Sequence, residues 1–162
     1  DPALFLDVAG RCPDLHFVLV GGCSLPEGWC MLPNVSLLGR RDYTQVAAYM
    51  AACDVLIMPW NASPWIKACN PVKLKEYLAV GRPVVSTAFD ELAAYEGLVR
   101  VAAGADAFAR AIRESLVSAH DPLPGRNRVR PHTWSAQVEM IRKRLADRGL
   151  GVTSRVEQGV AR

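Results

Sequence analysis

Apolar residues along the chain follow two kinds of pattern. Short continuous runs are typical of buried strands, and longer segments with apolar residues three or four positions apart are typical of helices with one buried face. The predicted strands are residues 16–20, 35–38, 55–58, 84–87 and 99–102. Because helical segments separate these runs, we expect βαβ units, and hence a doubly wound, Rossmann-like parallel sheet with helices on both faces.

Capping residues mark where the predicted helices begin. A short polar side chain before a helix can accept hydrogen bonds from its first free amides, and proline is favoured at the first helical position. The predicted caps are Asp1, Asp42, Asn70 and Thr133. The first helix is expected to extend to Arg11, and a helix before Thr133 is expected to bury Phe108, Ile112 and Leu116.

Length and composition predict one globular domain. The chain has 162 residues, of which 51% are hydrophobic and 22% are charged, which suits a compact fold with its own core. We expect the domain to occupy residues 1–148 and residues 149–162 to form a frayed tail. The chain begins with Asp rather than Met and shows no signal peptide, so we expect a fragment of a longer protein.

Charge and reactive side chains argue against several classes of function. A net charge of +3 is too small to predict a nucleic-acid partner. Five cysteines without C-x-x-C spacing predict a reducing, cytoplasmic compartment. The three histidines lie far apart, so no metal site is predicted, and the apolar segments are too short to span a membrane.

Residues 70–87, with the sequence NPVKLKEYLAVGRPVVST, form the most informative segment. Pro71 suits the first position of a helix capped by Asn70, and Gly81 ends that helix before a buried strand. The amino end of the helix gathers free amides, a partial positive charge and Lys73, which together favour phosphate. Glu76 lies one turn deeper and could accept hydroxyl groups.

The same spacing has a simpler interpretation. A lysine and a glutamate three residues apart on a helix usually form a solvent-exposed ion pair that contributes a few tenths of a kcal/mol. Position strengthens the phosphate interpretation, because three loops are expected to meet at the carboxyl edge of the sheet, where doubly wound folds bind ligands. These loops are residues 21–30, 39–43 and 59–73.

Other nucleotide-binding and catalytic motifs do not fit. The first strand is followed by Gly-Gly-Cys-Ser-Leu-Pro, which is not the G-x-G-x-x-G of dinucleotide-binding folds. No Walker A sequence occurs, and no serine lies in a G-x-S-x-G elbow. A helix terminus without a glycine loop is therefore the predicted phosphate site.

The order of segments is recognisable as a family pattern. Residues 17–21, 35–39 and 52–55, followed by the motif of residues 71–85, resemble the C-terminal, donor-binding domain of group 1 glycosyltransferases with the GT-B fold. The likeness covers about residues 1–146 and is greatest to enzymes that build bacterial cell-envelope polysaccharides such as teichuronic acid.

The resemblance implies a donor site for a sugar linked to a uridine or guanosine diphosphate, with no other cofactor. It implies that the base lies near Gly39, Arg40 and Tyr43. The diphosphate would meet the amino end of the motif helix, and a glutamate of that helix would take the ribose hydroxyls. The residues implied there are Asn70, Pro71, Val72, Lys73, Leu74 and Glu76.

The chain departs from the family pattern at the sugar site. Retaining members carry E-x7-E, but Ala68 stands eight residues before Glu76. The sugar contacts are therefore unassigned, with Asn61, Ser63 and Lys67 as the polar candidates besides Asn70, and retention or inversion stays open. Trp60 and Trp65 lie in the same loop and could form an apolar wall for a sugar ring, although such tryptophans more often belong to the core.

The family's domain opens with a strand in the middle of its sheet, whereas this chain starts with the helix that should follow it. The acceptor domain of such enzymes is also absent, and it would hold most of the catalytic residues, which stay unknown here. We expect the whole enzyme to transfer a hexose to a polysaccharide or lipid-linked acceptor, and the isolated chain to be inactive.

Alternative functions remain open at this point. One is half of a sugar-nucleotide epimerase of GT-B shape, and another is a non-catalytic binding module that has lost its sugar site. A further alternative adds a membrane surface as partner at the inner face of the membrane. Its basis is a basic helix with Arg142, Lys143, Arg144 and Arg148, although such charges more often form a solvated helix face.

Overall fold

The computed structural model describes residues 1–150, so most of the predicted tail, residues 151–162, lies outside the described part. Within that part the chain alternates strands and helices. The strands are β1 (Phe17–Leu19), β2 (Val35–Leu37), β3 (Leu56–Met58), β4 (Val84–Ser86) and β5 (Arg100–Val101). The α-helices are α1 (Pro2–Arg11), α2 (Tyr43–Ala52), α3 (Pro64–Lys67), α4 (Val72–Val80), α5 (Ala105–Val117), α6 (Leu123–Val129) and α7 (Trp134–Ala146), with 3-10 helices at Asp90–Tyr95 and Arg130–His132.

All strand pairs are parallel, as predicted, but they form two sheets rather than one. β1 pairs with β2 in the register Phe17 to Val35. β3, β4 and β5 form the second sheet, in which Leu56 lies opposite Val84. β1 and β3 are not hydrogen-bonded to each other, and a gap lies between them.

Helices cover both faces of the strands. Val84 and Val85 are neighbours in β4, so their side chains point to opposite faces, and each belongs to a different core cluster. Val85 packs with residues of α1 and α5, including Phe108. Val84 packs with residues of α4, including Leu74. The layered α/β architecture predicted from the sequence is confirmed.

Most predicted helix caps are observed. The carboxylate of Asp1 accepts from the Leu4 amide at 2.9 Å, and that of Asp42 accepts from the Thr44 amide at 2.8 Å. Thr133 caps α7 in the same way. The predicted cap at Asn70 is wrong, because α4 begins at Val72 and its amino end has no side-chain cap.

Two other differences concern the loop after β3 and the inner faces of α2 and α5. Ser63 caps the short helix α3 within the segment predicted as a loop. Leu116, which was expected to be buried, is 41% exposed, and no residue of α2 is fully buried. Leu116 lines the gap between β1 and β3, and its burial is incomplete because no strand formed by residues 1–150 fills that space.

The ends of several elements meet at one edge of the molecule. Tyr43, just after β2, contacts Glu76 near the start of α4, so the carboxyl ends of β2 and β3 lie at the same edge. The amino group of Asp1 donates to the Pro59 carbonyl at 2.8 Å, which places the start of α1 there as well. In residues 1–150 we find no helix with the length and apolar character needed to cross a membrane.

Candidate functional site

The amino end of α4 forms the centre of the candidate site. Pro71 is buried and directs the chain into the helix. The amide oxygen of Asn70 accepts from the Lys75 ammonium instead of capping the helix. Because no side-chain cap hydrogen bond is found at the first turn, its free amides and the positive end of the helix dipole can interact with an anion.

Val72 and Leu74 contribute to this end in different ways. Val72 is exposed at the start of the helix. Leu74 is buried in the core, and its amide already donates to the Pro71 carbonyl at 3.2 Å. The side chain of Leu74 therefore anchors the helix, and the open amides of the turn are those before it.

Lys73 and Glu76 form an ion pair in the structure. The Lys73 Nζ lies 2.7 Å from the Glu76 Oε2, and half of the lysine side chain is exposed while most of the glutamate side chain is covered. The simpler interpretation of the spacing therefore describes this state of the protein. An ion pair with one solvated partner is worth about 0–1 kcal/mol, so Lys73 can leave it at little cost.

Tyr43 adds a second contact to the same carboxylate. Its hydroxyl donates to the Glu76 Oε1 at 2.8 Å, while the Asp42 cap fixes the start of the helix that carries it. The neighbouring carboxylate raises the pKa of Tyr43 above its usual value, because the hydrogen bond requires the neutral phenol. The structure thus brings Tyr43, Lys73 and Glu76 together.

Gly39 and Arg40 follow the end of β2 and contact the loop after β1. The Gly39 carbonyl accepts from the Gly21 amide at 2.9 Å. The Arg40 guanidinium packs over Gly22, where an added Cβ would stand 3.0 Å from the Arg40 Nε. These two residues therefore contact the loop after β1.

The loop after β3 holds the candidate sugar contacts. Asn61 is exposed, Ser63 accepts from the Ile66 amide at 3.4 Å as the cap of α3, and Lys67 ends that helix. The rings of Trp60 and Trp65 lie 5.6 Å apart at an angle of 49°. Trp65 is largely exposed, so it is the member of the pair that could contact a ligand.

Thr87 is a residue that the sequence did not single out for this site. Its hydroxyl accepts from the Trp60 amide at 2.9 Å and donates to the Trp60 carbonyl at 3.0 Å. These two bonds fix the start of the loop after β3. A contact between residues 27 positions apart leaves no local signal in the sequence, and the bond from Tyr43 to Glu76 was missed for the same reason.

Within residues 1–150 no three His, Cys, Asp or Glu side chains lie close enough together to hold a metal ion. The five cysteines are free thiols. Amides, one lysine, one carboxylate and one phenol are the groups that converge at the start of α4.

Comparison with known proteins agrees with this architecture. TuaH of Bacillus subtilis (strain 168), named as a putative teichuronic acid biosynthesis glycosyltransferase, is 48% identical over 92 residues, which are 54% of this chain and 23% of TuaH. The crystal structure of AviGT4, a glycosyltransferase involved in avilamycin A biosynthesis, matches with a TM-score of 0.62 at 21% identity. That match covers 89% of this chain and 48% of AviGT4, and at this identity it establishes the fold.

The chain therefore spans about a quarter of one relative and half of the other. A family model described as "Glycosyl transferases group 1" matches residues 3–118, well over half of the chain. Taken with the parallel sheets and the GT-B structural match, this assigns the chain to the group 1 glycosyltransferases.

Proposed function

We propose that this chain is the donor-binding domain of a glycosyltransferase and that it holds the nucleoside diphosphate of a sugar nucleotide at the amino end of α4. The observation that carries the proposal is the convergence of Tyr43 and Lys73 on Glu76 beside the uncapped first turn of that helix. Uridine or guanosine diphosphate is the proposed nucleotide part, and a hexose is the proposed sugar.

Each group at the site has a role that its chemistry supports. The amides of Val72 and Lys73 would donate to the phosphates, and the Lys73 ammonium would turn from Glu76 to the diphosphate. A charge-assisted hydrogen bond to phosphate contributes about 1.5–3 kcal/mol, more than the exposed ion pair that it replaces. Glu76 would then accept the ribose hydroxyls while Tyr43 holds its other oxygen.

The remaining candidates lie around this centre. Gly39 and Arg40 would border the base, and Asn61, Ser63, Lys67 and Asn70 are the polar groups offered to the sugar. Of these, Ser63 already serves as a helix cap and Asn70 already contacts Lys75. Asn61 and Lys67 are therefore the groups with more freedom to contact a sugar.

The whole enzyme is proposed to transfer the hexose to a polysaccharide or lipid-linked acceptor bound by a further, N-terminal domain, in the cytoplasm. Since the catalytic groups would belong largely to that domain, we expect no turnover from this chain alone. The measurement is release of nucleotide from UDP-glucose and GDP-mannose with and without a lipid-linked acceptor. Sustained release by the isolated chain would contradict this part of the proposal.

Calorimetric titration with UDP and GDP tests the donor site. We expect one of the two to bind with one site per chain, and Glu76→Gln to weaken that binding by about tenfold, as the loss of hydrogen bonds to a charged group predicts. Asp106→Asn, in α5, is the matched control and should bind normally. Absence of heat and of a thermal shift with either nucleotide would favour a non-catalytic module instead.

Membrane contact is a further proposal, which rests on α7. Trp134 of this helix is 89% exposed, and Val138 and Ile141 on the same face are also exposed. Arg142 and Arg144 flank this apolar stripe, so the face suits an anionic lipid surface. We expect co-sedimentation with vesicles that contain phosphatidylglycerol but not with pure phosphatidylcholine, and we expect Trp134→Gln to reduce it.

A further inference from the structure

The two helices that carry the candidate site, α2 and α4, lie side by side and are joined near both ends. Near their amino ends, the Tyr43 hydroxyl donates to the Glu76 carboxylate at 2.8 Å. Near their carboxyl ends, the Arg82 guanidinium donates to the Ala51 carbonyl of α2 through Nε at 3.2 Å and through Nη2 at 2.7 Å. Because a helix rises about 1.5 Å per residue, these two contacts lie about 12 Å apart along α2, and they span most of its length.

α2 is packed less tightly than α4. None of its residues is fully buried, so it lacks the enclosed apolar side chains that Leu74 and Leu78 give to α4. A groove of about 300 Å³ lies between the two helices, with Met50 of α2 and Val80 of α4 in its lining. Side chains that border a groove do not interlock as those of a close-packed core do. The hydrogen bonds at the two ends are therefore expected to determine how α2 lies against α4.

The Arg82 contact satisfies a carbonyl at the end of α2. The last carbonyls of a helix have no partner within the helix, and the negative end of the helix dipole favours a cation. The amide and the thiol of Cys53 donate to the carbonyls of Met50 and Tyr49, and that of Ala51 accepts from Arg82. The last turn of α2 carries no basic residue of its own. Arg82, which follows α4, therefore brings a cation to this end from another element.

We propose that Arg82 is a positioning residue for the candidate site, which holds the carboxyl end of α2 beside the end of α4 and thereby keeps Tyr43 in contact with Glu76. A single contact would let α2 pivot about it, whereas two contacts near opposite ends fix the direction of the helix. Without Arg82, the bond from Tyr43 to Glu76 would have to hold α2 against α4 alone. This part of the inference does not depend on the proposed function.

Nucleotide binding gives the placement of Tyr43 its consequence, and this second part rests on the proposed function. There Glu76 accepts the ribose hydroxyls while Tyr43 holds its other oxygen. A carboxylate that is already oriented loses less conformational freedom when a ligand binds, and such preorganisation increases affinity. Loss of Arg82 should therefore weaken binding, although its side chain contacts the end of α2 that lies away from the ligand.

The ionisation of Tyr43 is the first test, because it reports on the contact itself. The Glu76 carboxylate raises the pKa of this phenol, so Arg82→Ala should lower that pKa toward the usual value if Tyr43 moves away. The direct effect of removing a cation has the opposite sign, since a positive charge favours the phenolate. The charged groups at or next to this contact are retained in the variant, and they are Glu76, Lys73 and Asp42.

Spectrophotometric titration of each variant, minus the same variant with Tyr43→Phe, measures this pKa. We expect a lower pKa of Tyr43 in Arg82→Ala and a pKa close to that of the wild type in Arg82→Lys, which restores a cation and a donor. When Glu76→Gln has already removed the carboxylate, Arg82→Ala should not lower the pKa further, since both changes act on one contact. An unchanged or raised pKa in Arg82→Ala would overturn the proposal.

Arg126→Ala is the matched control. Arg126 donates to the carbonyls of Ala79 and Val80 at the end of α4, so its loss also removes an arginine from the carboxyl end of a helix but leaves the link between α2 and α4. We expect both alanine variants to lower Tm and only Arg82→Ala to lower the pKa of Tyr43. Equal decreases in that pKa would indicate general loosening of the fold and would contradict positioning. Arg82→Gln keeps much of the aliphatic stem and takes the place of Arg82→Ala should that variant fail to fold.

Calorimetric titration with UDP and GDP tests the second part. We expect Arg82→Ala to weaken nucleotide binding by at least about threefold, and Arg82→Lys and Arg126→Ala to weaken it by less than about twofold. A lowered pKa of Tyr43 with unchanged affinity would overturn the link to nucleotide binding. If neither nucleotide binds any form while Arg82→Ala lowers the pKa of Tyr43, the proposed donor site fails and the positioning role of Arg82 stands.

Discussion

Glu76 is held from two directions, by Lys73 of its own helix and by Tyr43 of α2. The two contacts differ in what they can contribute. The lysine is half-exposed and its ion pair is worth about 0–1 kcal/mol, while the tyrosine, which is exposed as well, donates a directional hydrogen bond to the carboxylate at 2.8 Å. Tyr43 is therefore expected to hold the carboxylate in place while Lys73 exchanges partners.

The titration of Tyr43 tests its bond to Glu76. Its pKa is raised from the usual 10.0, so the neutral phenol stabilises the fold below that pH, and this contribution is lost as the pH rises through the raised pKa. Spectrophotometric titration of the wild type minus Tyr43→Phe isolates this phenol, and Glu76→Gln should lower its pKa toward the usual value. An unchanged pKa in Glu76→Gln would show that the bond is absent in solution.

Lys73 and Lys75 provide a matched pair of substitutions on one helix. Lys73→Gln removes the proposed phosphate ligand and should weaken UDP or GDP binding by about tenfold, as loss of one charge-assisted bond predicts. Lys75→Gln removes an equal charge from a side chain that contacts Asn70 instead, and it should change affinity by less than about threefold. Equal losses in calorimetry would mean that only general charge matters.

For single residues, the sequence predicted contacts between side chains that are about one helical turn apart. The spacing of Lys73 and Glu76 was sufficient to place both on one face. The family resemblance implied only that Tyr43 lies near the base of the nucleotide. Its contact with Glu76 was not predicted, because the two residues are 33 positions apart in the sequence. Asn70 has the right side chain and position for a cap, but the Lys75 ammonium attracts its oxygen more strongly than neutral amides would.

Among the elements, α4 is bounded by a tight contact with α6. Gly81 ends α4 with φ +82°, and the Arg126 guanidinium donates to the carbonyls of Ala79 and Val80 at 3.1 and 2.8 Å. A Cβ at Gly81 would lie 2.6 Å from the Cβ of Pro122. Position 81 therefore requires glycine for two reasons: its backbone is left-handed, and Pro122 leaves no room for a Cβ atom.

Gly81→Ala should therefore destabilise the fold by more than left-handed backbone strain alone. Gly97 has φ +76°, and a Cβ added there would have no neighbour within 4 Å, so Gly97→Ala reports the strain term, about 1–2 kcal/mol. Urea denaturation should show a clearly larger loss of unfolding free energy for Gly81→Ala. Equal losses would indicate that α6 moves aside freely.

A paired set of charges ties the turn after α1 to α5. Both oxygens of Asp14 accept from the Arg113 guanidinium, at 2.6 and 2.7 Å. This bidentate pair lowers the pKa of Asp14 from 3.8 to about 2. Its contribution to stability is therefore fully present above the unfolded-state pKa and is lost as the pH falls toward about 2.

Asp14→Asn should lower the free energy of unfolding at about pH 6 and make it less dependent on pH between about 4 and 2 than in the wild type. Urea denaturation across this range measures the slope. Asp121→Asn, in the segment before α6, is a control that keeps the Arg113 pair. If Asp14→Asn had the same dependence of unfolding free energy on pH as the wild type, the ion pair between Asp14 and Arg113 would be absent in solution.

Helix starts were predicted correctly where one capping residue determines them. Predictions were less accurate where contacts with distant parts of the chain determine the structure. Asp42 and Thr133 cap their helices as expected. The start of α3 carries the same signal, Ser63 before Pro64, but the prolines around it favoured a loop. Leu116 lies on the apolar face of its helix, and this spacing predicted that it is buried. Its exposure also depends on whether a strand packs against that face, and the spacing of apolar residues does not show this.

For the whole molecule, the parallel α/β architecture and the family followed from the order of strands, helices and the motif of residues 71–85. The division into two sheets could not be read from strand patterns, because each run predicts a strand but not its partner. The same division explains why the helices beside the gap remain partly exposed. Lys73, which belongs to the proposed donor site, also lines this gap.

Amide mapping of nucleotide binding by NMR tests the donor site most directly. With UDP or GDP added to the isotope-labelled chain, the largest shift changes should fall on the amides of Val72 and Lys73. The amino end of α5, which also lacks a side-chain cap, provides the internal control at Ala105 and should not change. Saturable shifts confined to the start of α4 are the predicted result, and shifts that are absent or equal at α5 would contradict it.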